Sequence, residues 1–243
     1  MKKLGNTSTA VMQRRHDPLD SLDDFPTPPW GSRLFLAEVL EPRFGDLSKL
    51  TAWEPTCNRG YMARPMAEVF GRVIATDIAD YGWEGQQGRC DFLKGRVPDE
   101  VAENGVDVVM MNPPFAKAEE MVLRALALKP RAGVVIIARS AFLEGEDRLD
   151  RLFGKHPLYL VAQSSQRIPM VRGQYDPQVG SATAYSWFVW KTDYAGDPLL
   201  IWTPKFRDRY KRKSDVKWEK RDQLPADWIA EACNDTPLFA QET

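Results

Sequence analysis

The sequence predicts an α/β protein: an open, mostly parallel sheet of about seven strands, the last one antiparallel, with helices on both faces. Three observations carry this expectation. Runs such as "VDVVMM" (106–111) and "GVVIIAR" (133–139) are apolar without alternation, as strands buried on both faces are. Segments with helical spacing of apolar residues alternate with them along the chain. The breaks fall at turn formers, such as Pro55 after "LTAWE" and the Pro/Gly stop in "LKPRAG".

Residues 1–23 are polar and unpatterned and are expected to form a flexible arm. A proline-rich turn, "DFPTPPW", then leads into a helix whose apolar positions Leu34, Phe35, Val39 and Leu40 share one face. "LTAWEP" reads as a short strand. "GYMARPMAEVFG" reads as a helix closing at Gly71, with Pro65 admissible only near its first turn. "RVIATDIAD" is a β-branched strand ending in acids, and "GRCDFL" a short third strand. After "VDVVMM", a helix is expected within "AKAEEMVLRALALKPRAG", then the strand "GVVIIAR" and a helix in "GEDRLDRLFGKHP". "YLVAQ" and "AYSWFVWKT" complete the sheet. The link between them is too short for a comfortable crossover helix, so these two are expected to pair antiparallel. Residues 24–202 are thus read as one α/β domain and 203–243 as a basic extension.

Composition narrows the chemistry. No apolar run approaches the eighteen or so residues of a membrane span, and the N-terminus has no continuous apolar stretch. Membrane partners are therefore not expected, and the cytoplasm is the expected compartment. The three cysteines have no paired spacing and there are only two histidines, His16 and His156. A disulfide framework, a zinc site or a histidine base is disfavoured, so no metal is expected. The net charge of −1 gives no sign of nucleic-acid binding. The segment "TPKFRDRYKRKSDVKWEKR" is locally basic with aromatics interleaved, which suits either a solvated tail or a phosphate-contacting strip.

In such sheets ligands bind beyond the carboxyl ends of the strands. The first turn, "EPTCNRGYM", places Asn58 and Gly60 where positive φ is tolerated, so a tight turn with exposed amides is expected. Asp77 ends the second strand. Its position fits an acid that takes a ribose diol, and equally an acid that caps a turn beside Asp80.

The segments "EPTCNRGYM", "ATDI", "CDFL" and "NPPF", in this order, resemble the S-adenosylmethionine-dependent amino-methyltransferases. The similarity is greatest to the TaqI-like adenine-N6 DNA methyltransferases of the gamma arrangement, in a small form without a separate target-recognition domain. Thr27-Pro28-Pro29 stands where that group has a "TPP" segment ahead of the cofactor turn. The resemblance covers roughly residues 24–190. It implies a class I Rossmann-like fold and S-adenosylmethionine as cofactor. It also implies that Glu54, Thr56, Cys57, Asn58 and Gly60 shape the methionine end of that site, with Thr27 and Pro28 over the methionine. Asp77 would take the ribose, Ile78 and Phe92 would pack on the cofactor adenine, and Asp91 would meet its amino edge. Asn58 departs from the glycine common in the family, and the turn survives if Asn58 is left-handed.

The tetrad Asn112-Pro113-Pro114-Phe115 has a chemical reading of its own. A nucleobase amine is a poor nucleophile because its lone pair is delocalised. Acceptors for its two hydrogens favour a pyramidal nitrogen; the Asn112 side-chain oxygen is one, and the resemblance supplies the Pro113 carbonyl as the other. The prolines stiffen this pair, and Phe115 offers a stacking face for a flipped base. The loop "QSSQRIPMVRGQYDPQVGS" supplies Arg167, Arg172, Gln174 and Tyr175 as candidate contacts to DNA. RNA adenine, a protein glutamine, or no substrate at all in an idle cofactor-binding subunit remain the other readings.

Overall fold

The computed structural model describes residues 23–173, 175–176 and 180–215. Of the expectations above, the arm before Asp23, the contact from Gln174 and the extension beyond residue 215 lie outside the described residues.

Eight strands form one sheet: β1 Thr51–Glu54, β2 Arg72–Asp77, β3 Gly88–Arg89, β4 Val108–Met111, β5 Gly133–Arg139, β6 Leu160–Gln163, β7 Tyr185–Lys191 and β8 Leu199–Trp202. Their order is β3-β2-β1-β4-β5-β7-β6-β8. β1 pairs in parallel with both β2 and β4, so the order reverses between them, and there a crevice opens at the carboxyl edge. β7 runs antiparallel to β6, as the short link predicted, and also pairs antiparallel with β5. β8 is an addition to the expected set and pairs in parallel with β6. It gave no burial pattern to read: the run is four residues long, follows Pro198, and leaves Leu199, Leu200 and Trp202 exposed.

The continuous apolar strands are explained by two cores, one on each face of the sheet. In β4, Val108 and Met110 enter one core and Val109 and Met111 the other. β5 and β7 divide in the same way, with Trp187 stacked on Phe35 at 4.3 Å on the first face. The helix Pro29–Phe35 continues through Leu36–Leu40 into Glu41–Phe44, and Leu34, Phe35, Val39 and Leu40 are all buried. Pro29 begins that helix, where its missing N–H costs no helical bond. The helix expected before Gly71 narrows to Ala63–Ala67, with Pro65 its third residue and so inside the first turn. The helix Ala118–Ala127 closes on the second face before Lys129 turns left-handed ahead of Pro130.

The basic segment returns to this body. Arg33, 5% exposed, donates to Glu68 and to both oxygens of the fully buried Asp215. Arg212 pairs with Glu68, Arg209 with Glu38, and Arg207 lies over the Trp30 ring. Much of the positive charge of residues 203–215 is therefore engaged by the domain. Among the described residues, no helix is long and apolar enough to cross a membrane.

Candidate active site

A cavity of about 640 Å³ lies at the switch point between β1 and β4, within the range of ligand pockets. The β1 turn supplies Glu54, Thr56, Cys57 and Asn58 to its wall. Asp77 and Ile78 come from the end of β2, and Asp91 and Phe92 follow β3. Thr27 descends from the proline-rich segment, and Asn112 and Pro114 close the cavity from the end of β4. Pro28 and Gly60 do not line it. Pro28 immediately precedes the helix that starts at Pro29, and Gly60 lets the β1 turn close.

The turn has the conformation its residues predicted. Asn58 sits at φ 48° and Gly60 at φ 79°. At Gly60 a Cβ would meet the Trp83 ring at 2.6 Å, so the glycine is required for space as well as for φ. The Asn58 amide then points at Asp77 and donates to Oδ2 at 2.9 Å, while the Ala79 amide donates to Oδ1 at 3.1 Å. Asp77 thus holds the turns after β1 and β2 together and still lines the cavity. Burial pushes its carboxyl up to about 7, against the pull of those amides. Glu54 is raised well above the carboxylate range, first by burial and then by Asp77; the Ala63 amide opposes this. Burial also pushes the Cys57 thiol up, so it stays protonated and inert as a nucleophile.

Two wall atoms are buried without a hydrogen-bond partner among the described residues: Glu54 Oε2 and Thr27 Oγ1. Buried polar atoms are rarely left so, and their presence on a cavity wall suits a polar ligand. Asp91 is partly committed, since its Oδ1 caps the amides of Leu93 and Lys94. Phe92 is fixed edge-on to Trp53 at 5.1 Å.

The tetrad is held by a strap that sequence reasoning missed. The Asn112 amide nitrogen donates to the Phe25 carbonyl at 2.7 Å, and the Asn112 backbone N–H to Thr56 Oγ1 at 3.2 Å. A carbonyl only accepts, so the side-chain orientation is determined: nitrogen to Phe25, Oδ1 away from it. No described residue donates to that Oδ1. The Asp23 carboxylate takes the Phe115 N–H at 2.7 Å. Asp24 takes the Asn58 side-chain amide at 2.7 Å and pairs with Arg59 at 2.9 Å. Its carbonyl accepts from Gly173 at 2.7 Å. Three consecutive residues therefore join the β1 turn, the tetrad and the long loop.

Pro114 is extended, at φ −50° and ψ 134°. The Phe115 ring lies outside the main cavity, 5.7 Å from Phe25 and 6.3 Å from Tyr185, with the Arg139 guanidinium 4.4 Å above it. In the loop, Arg167 and Arg172 are exposed. Tyr175 is not presented to solvent: it is 2% exposed, with its ring edge-on to Tyr61 at 6.4 Å. Trp187, Phe188 and Trp190 are core, and the aromatic ring of β7 nearest the tetrad is Tyr185.

No family model matches this sequence, and neither does any curated protein. Solved structures do match. The methyltransferase subunit of a Streptococcus thermophilus type I restriction-modification system aligns at TM-score 0.57 and 12% identity, over 79% of this chain. This chain spans only 50% of that subunit. A Listeria monocytogenes protein ascribed to the class I S-adenosylmethionine-dependent methyltransferases aligns at 0.51 and 12% identity, over 84% of this chain and 74% of its own. A Lactococcus lactis protein ascribed to the hemolysins reaches 0.51 at 10% identity, over 73% of this chain and 93% of its own. At such identities the likeness is one of fold. The strand order, the antiparallel β7 and these matches define the class I methyltransferase fold, a Rossmann-like sheet.

Proposed function

We propose that this chain is an S-adenosylmethionine-dependent methyltransferase acting on the N6 amine of adenine in DNA. The observation that carries the reading is the fixed Asn112 side chain. Its nitrogen is committed to the Phe25 carbonyl, which leaves Oδ1 as an acceptor at the cavity wall.

The cavity suits the cofactor by its chemistry. Asp77 opposes ionisation of the buried Glu54 on the same cavity wall, and a cationic ligand relieves that conflict. Glu54 and Thr27, with their unpartnered oxygens, would hold the methionine end beside Pro28 and the β1 turn. Asp77 would take the ribose hydroxyls, with Ile78 and Phe92 against the adenine and Asp91 at its amino edge. When bound, S-adenosylmethionine supplies an electrophilic methyl on a sulfonium that leaves readily.

The chain's part is to prepare the amine. Asn112 Oδ1 accepts one amine hydrogen and the Pro113 carbonyl the other, turning the nitrogen lone pair out of conjugation with the ring. Neither group removes a proton; the surplus proton passes from the methylated nitrogen to water. The face of Phe115 is already used for stacking by the flat Arg139 cation, and a planar base would take its place there. Arg167 and Arg172, exposed on the long loop, are the proposed DNA contacts there.

The test is transfer of labelled methyl from S-adenosylmethionine to DNA, RNA and protein pools side by side. Label in DNA is expected. Label confined to RNA or to protein glutamine would overturn the substrate, and cofactor binding without transfer to any pool would overturn the enzyme.

A further inference from the structure

A second cavity, of about 380 Å³, opens beside the tetrad and is lined by Gln163, Ser164, Arg167, Tyr185 and Trp202 among others. β5, β6 and β8 run in one direction and β7 in the other. The ends Arg139, Gln163 and Trp202 and the start at Tyr185 therefore share the carboxyl edge that carries the main site. Tyr185 pairs across the sheet with Arg139, and its ring lies 6.3 Å from that of Phe115. The tetrad's aromatic wall thus continues into this cavity.

Its floor is rigid and its rim is not self-satisfied. Gln163 Oε1 accepts from the Ser140 and Ser186 hydroxyls at 3.1 and 2.8 Å, and Gln163 Nε2 donates to the Ser164 carbonyl. Trp202, in contrast, is 66% exposed and has no ring or cation partner among the described residues. Arg167 is exposed and makes no hydrogen bond or ion pair among them. Elsewhere on the surface this protein pairs its arginines, as at Arg131 with Asp107 and Arg151 with Glu119. An uncommitted flat aromatic and an uncommitted guanidinium on one small cavity match the two parts of a nucleotide, a base face and a phosphate.

We propose that this cavity is a second nucleotide subsite. It holds the nucleotide adjacent in the strand to the base presented to Asn112, with Trp202 stacked on its base and Arg167 on its phosphate. The inference rests on the nucleic-acid reading of the tetrad and extends it. Two neighbouring nucleotides leave the base stack together, so an unpaired strand enters at lower cost than a duplex.

The experiment measures binding of a fluorescently labelled single-stranded 12-nucleotide DNA containing one adenine. It uses the full chain with saturating S-adenosylhomocysteine, alongside the methyl-transfer assay. Trp202→Ala and Arg167→Ala each raise Kd by about five- to 100-fold, while Trp202→Phe recovers most of the loss. Leu200→Ala, also exposed on β8 but outside the cavity, binds as the unaltered chain does. Affinity for the cofactor product stays unchanged throughout, which excludes misfolding. Unaltered DNA affinity in both Trp202→Ala and Arg167→Ala, with methyl transfer to DNA intact, would overturn the subsite and leave the enzyme assignment standing. Failure of the unaltered chain to bind or methylate any nucleic acid would overturn both.

Discussion

The side-chain nitrogen of Asn112 and the carbonyl of Phe25 are 2.7 Å apart although they lie 87 positions apart in sequence. That bond assigns the two ends of the Asn112 amide. It makes a backbone group in the proline-rich entry segment a determinant of how the tetrad presents its acceptor.

Asn112→Asp tests the orientation. A carboxylate has nearly the same shape but places an acceptor against the Phe25 carbonyl. Methyl transfer is expected to fall by at least about 100-fold. Cofactor affinity should change little, and the melting temperature should drop by a few degrees. A variant with ordinary turnover would show that the Phe25 bond does not matter to catalysis.

Asp24→Ala tests the strap. Asp24 serves Asn58 and the largely buried Arg59 together, and breaking such a pair costs about 3–5 kcal/mol. Urea unfolding should show a loss near that size, and calorimetric titration should show weaker cofactor binding because the Asn58 turn loosens. Unchanged cofactor affinity would mean that the turn holds itself.

Asp77 sets a pH dependence. Its carboxyl is raised from 3.8 to about 7 in the folded chain. Between those values the unfolded chain has released this proton and the folded chain retains it. In the ligand-free protein the Asp77 contribution therefore lowers stability as pH rises from about 4 to 7 and levels off above. Cofactor binding runs the other way, since ribose hydroxyls donate best to the ionised carboxylate. Affinity should weaken by up to about tenfold per pH unit below 7. Asp77→Asn should bind weakly and remove most of that slope. A flat affinity profile from pH 5 to 8 in the unaltered chain would contradict this role.

Phe115→Ala tests the stacking face. DNA affinity should fall by about five- to 100-fold, with cofactor affinity nearly constant, because the ring lies outside the main cavity. Equal losses of both would mark Phe115 as core packing, which its contacts with Phe25 and Tyr185 also provide.

The parts of this site that were legible in sequence are those where the backbone itself is constrained. Asn58 and Gly60 announced a left-handed turn, Pro113 and Pro114 a stiff one, and the apolar strands before them fixed both at one edge. What stayed hidden depends on distant partners. Asp23, Asp24 and Phe25 act through a carboxylate, an ion pair and a carbonyl directed at residues 34 to 92 positions away, and nothing local marks them. Tyr175 sits in a polar loop, yet its ring is buried against Tyr61, because the pattern around a residue does not record where a loop folds inward. β8 escaped notice because an exposed edge strand lacks the alternation that burial imposes.

The proposed role of the Asn112 acceptor is to activate one kind of amine. The most direct measurement is mass spectrometry of nucleosides digested from DNA after reaction with S-adenosylmethionine, for the unaltered chain and for Asn112→Ala. N6-methyladenine is expected from the first and none from the second, with both proteins still binding the cofactor. A methylated cytosine as the product, or equal N6-methyladenine from both proteins, would contradict it.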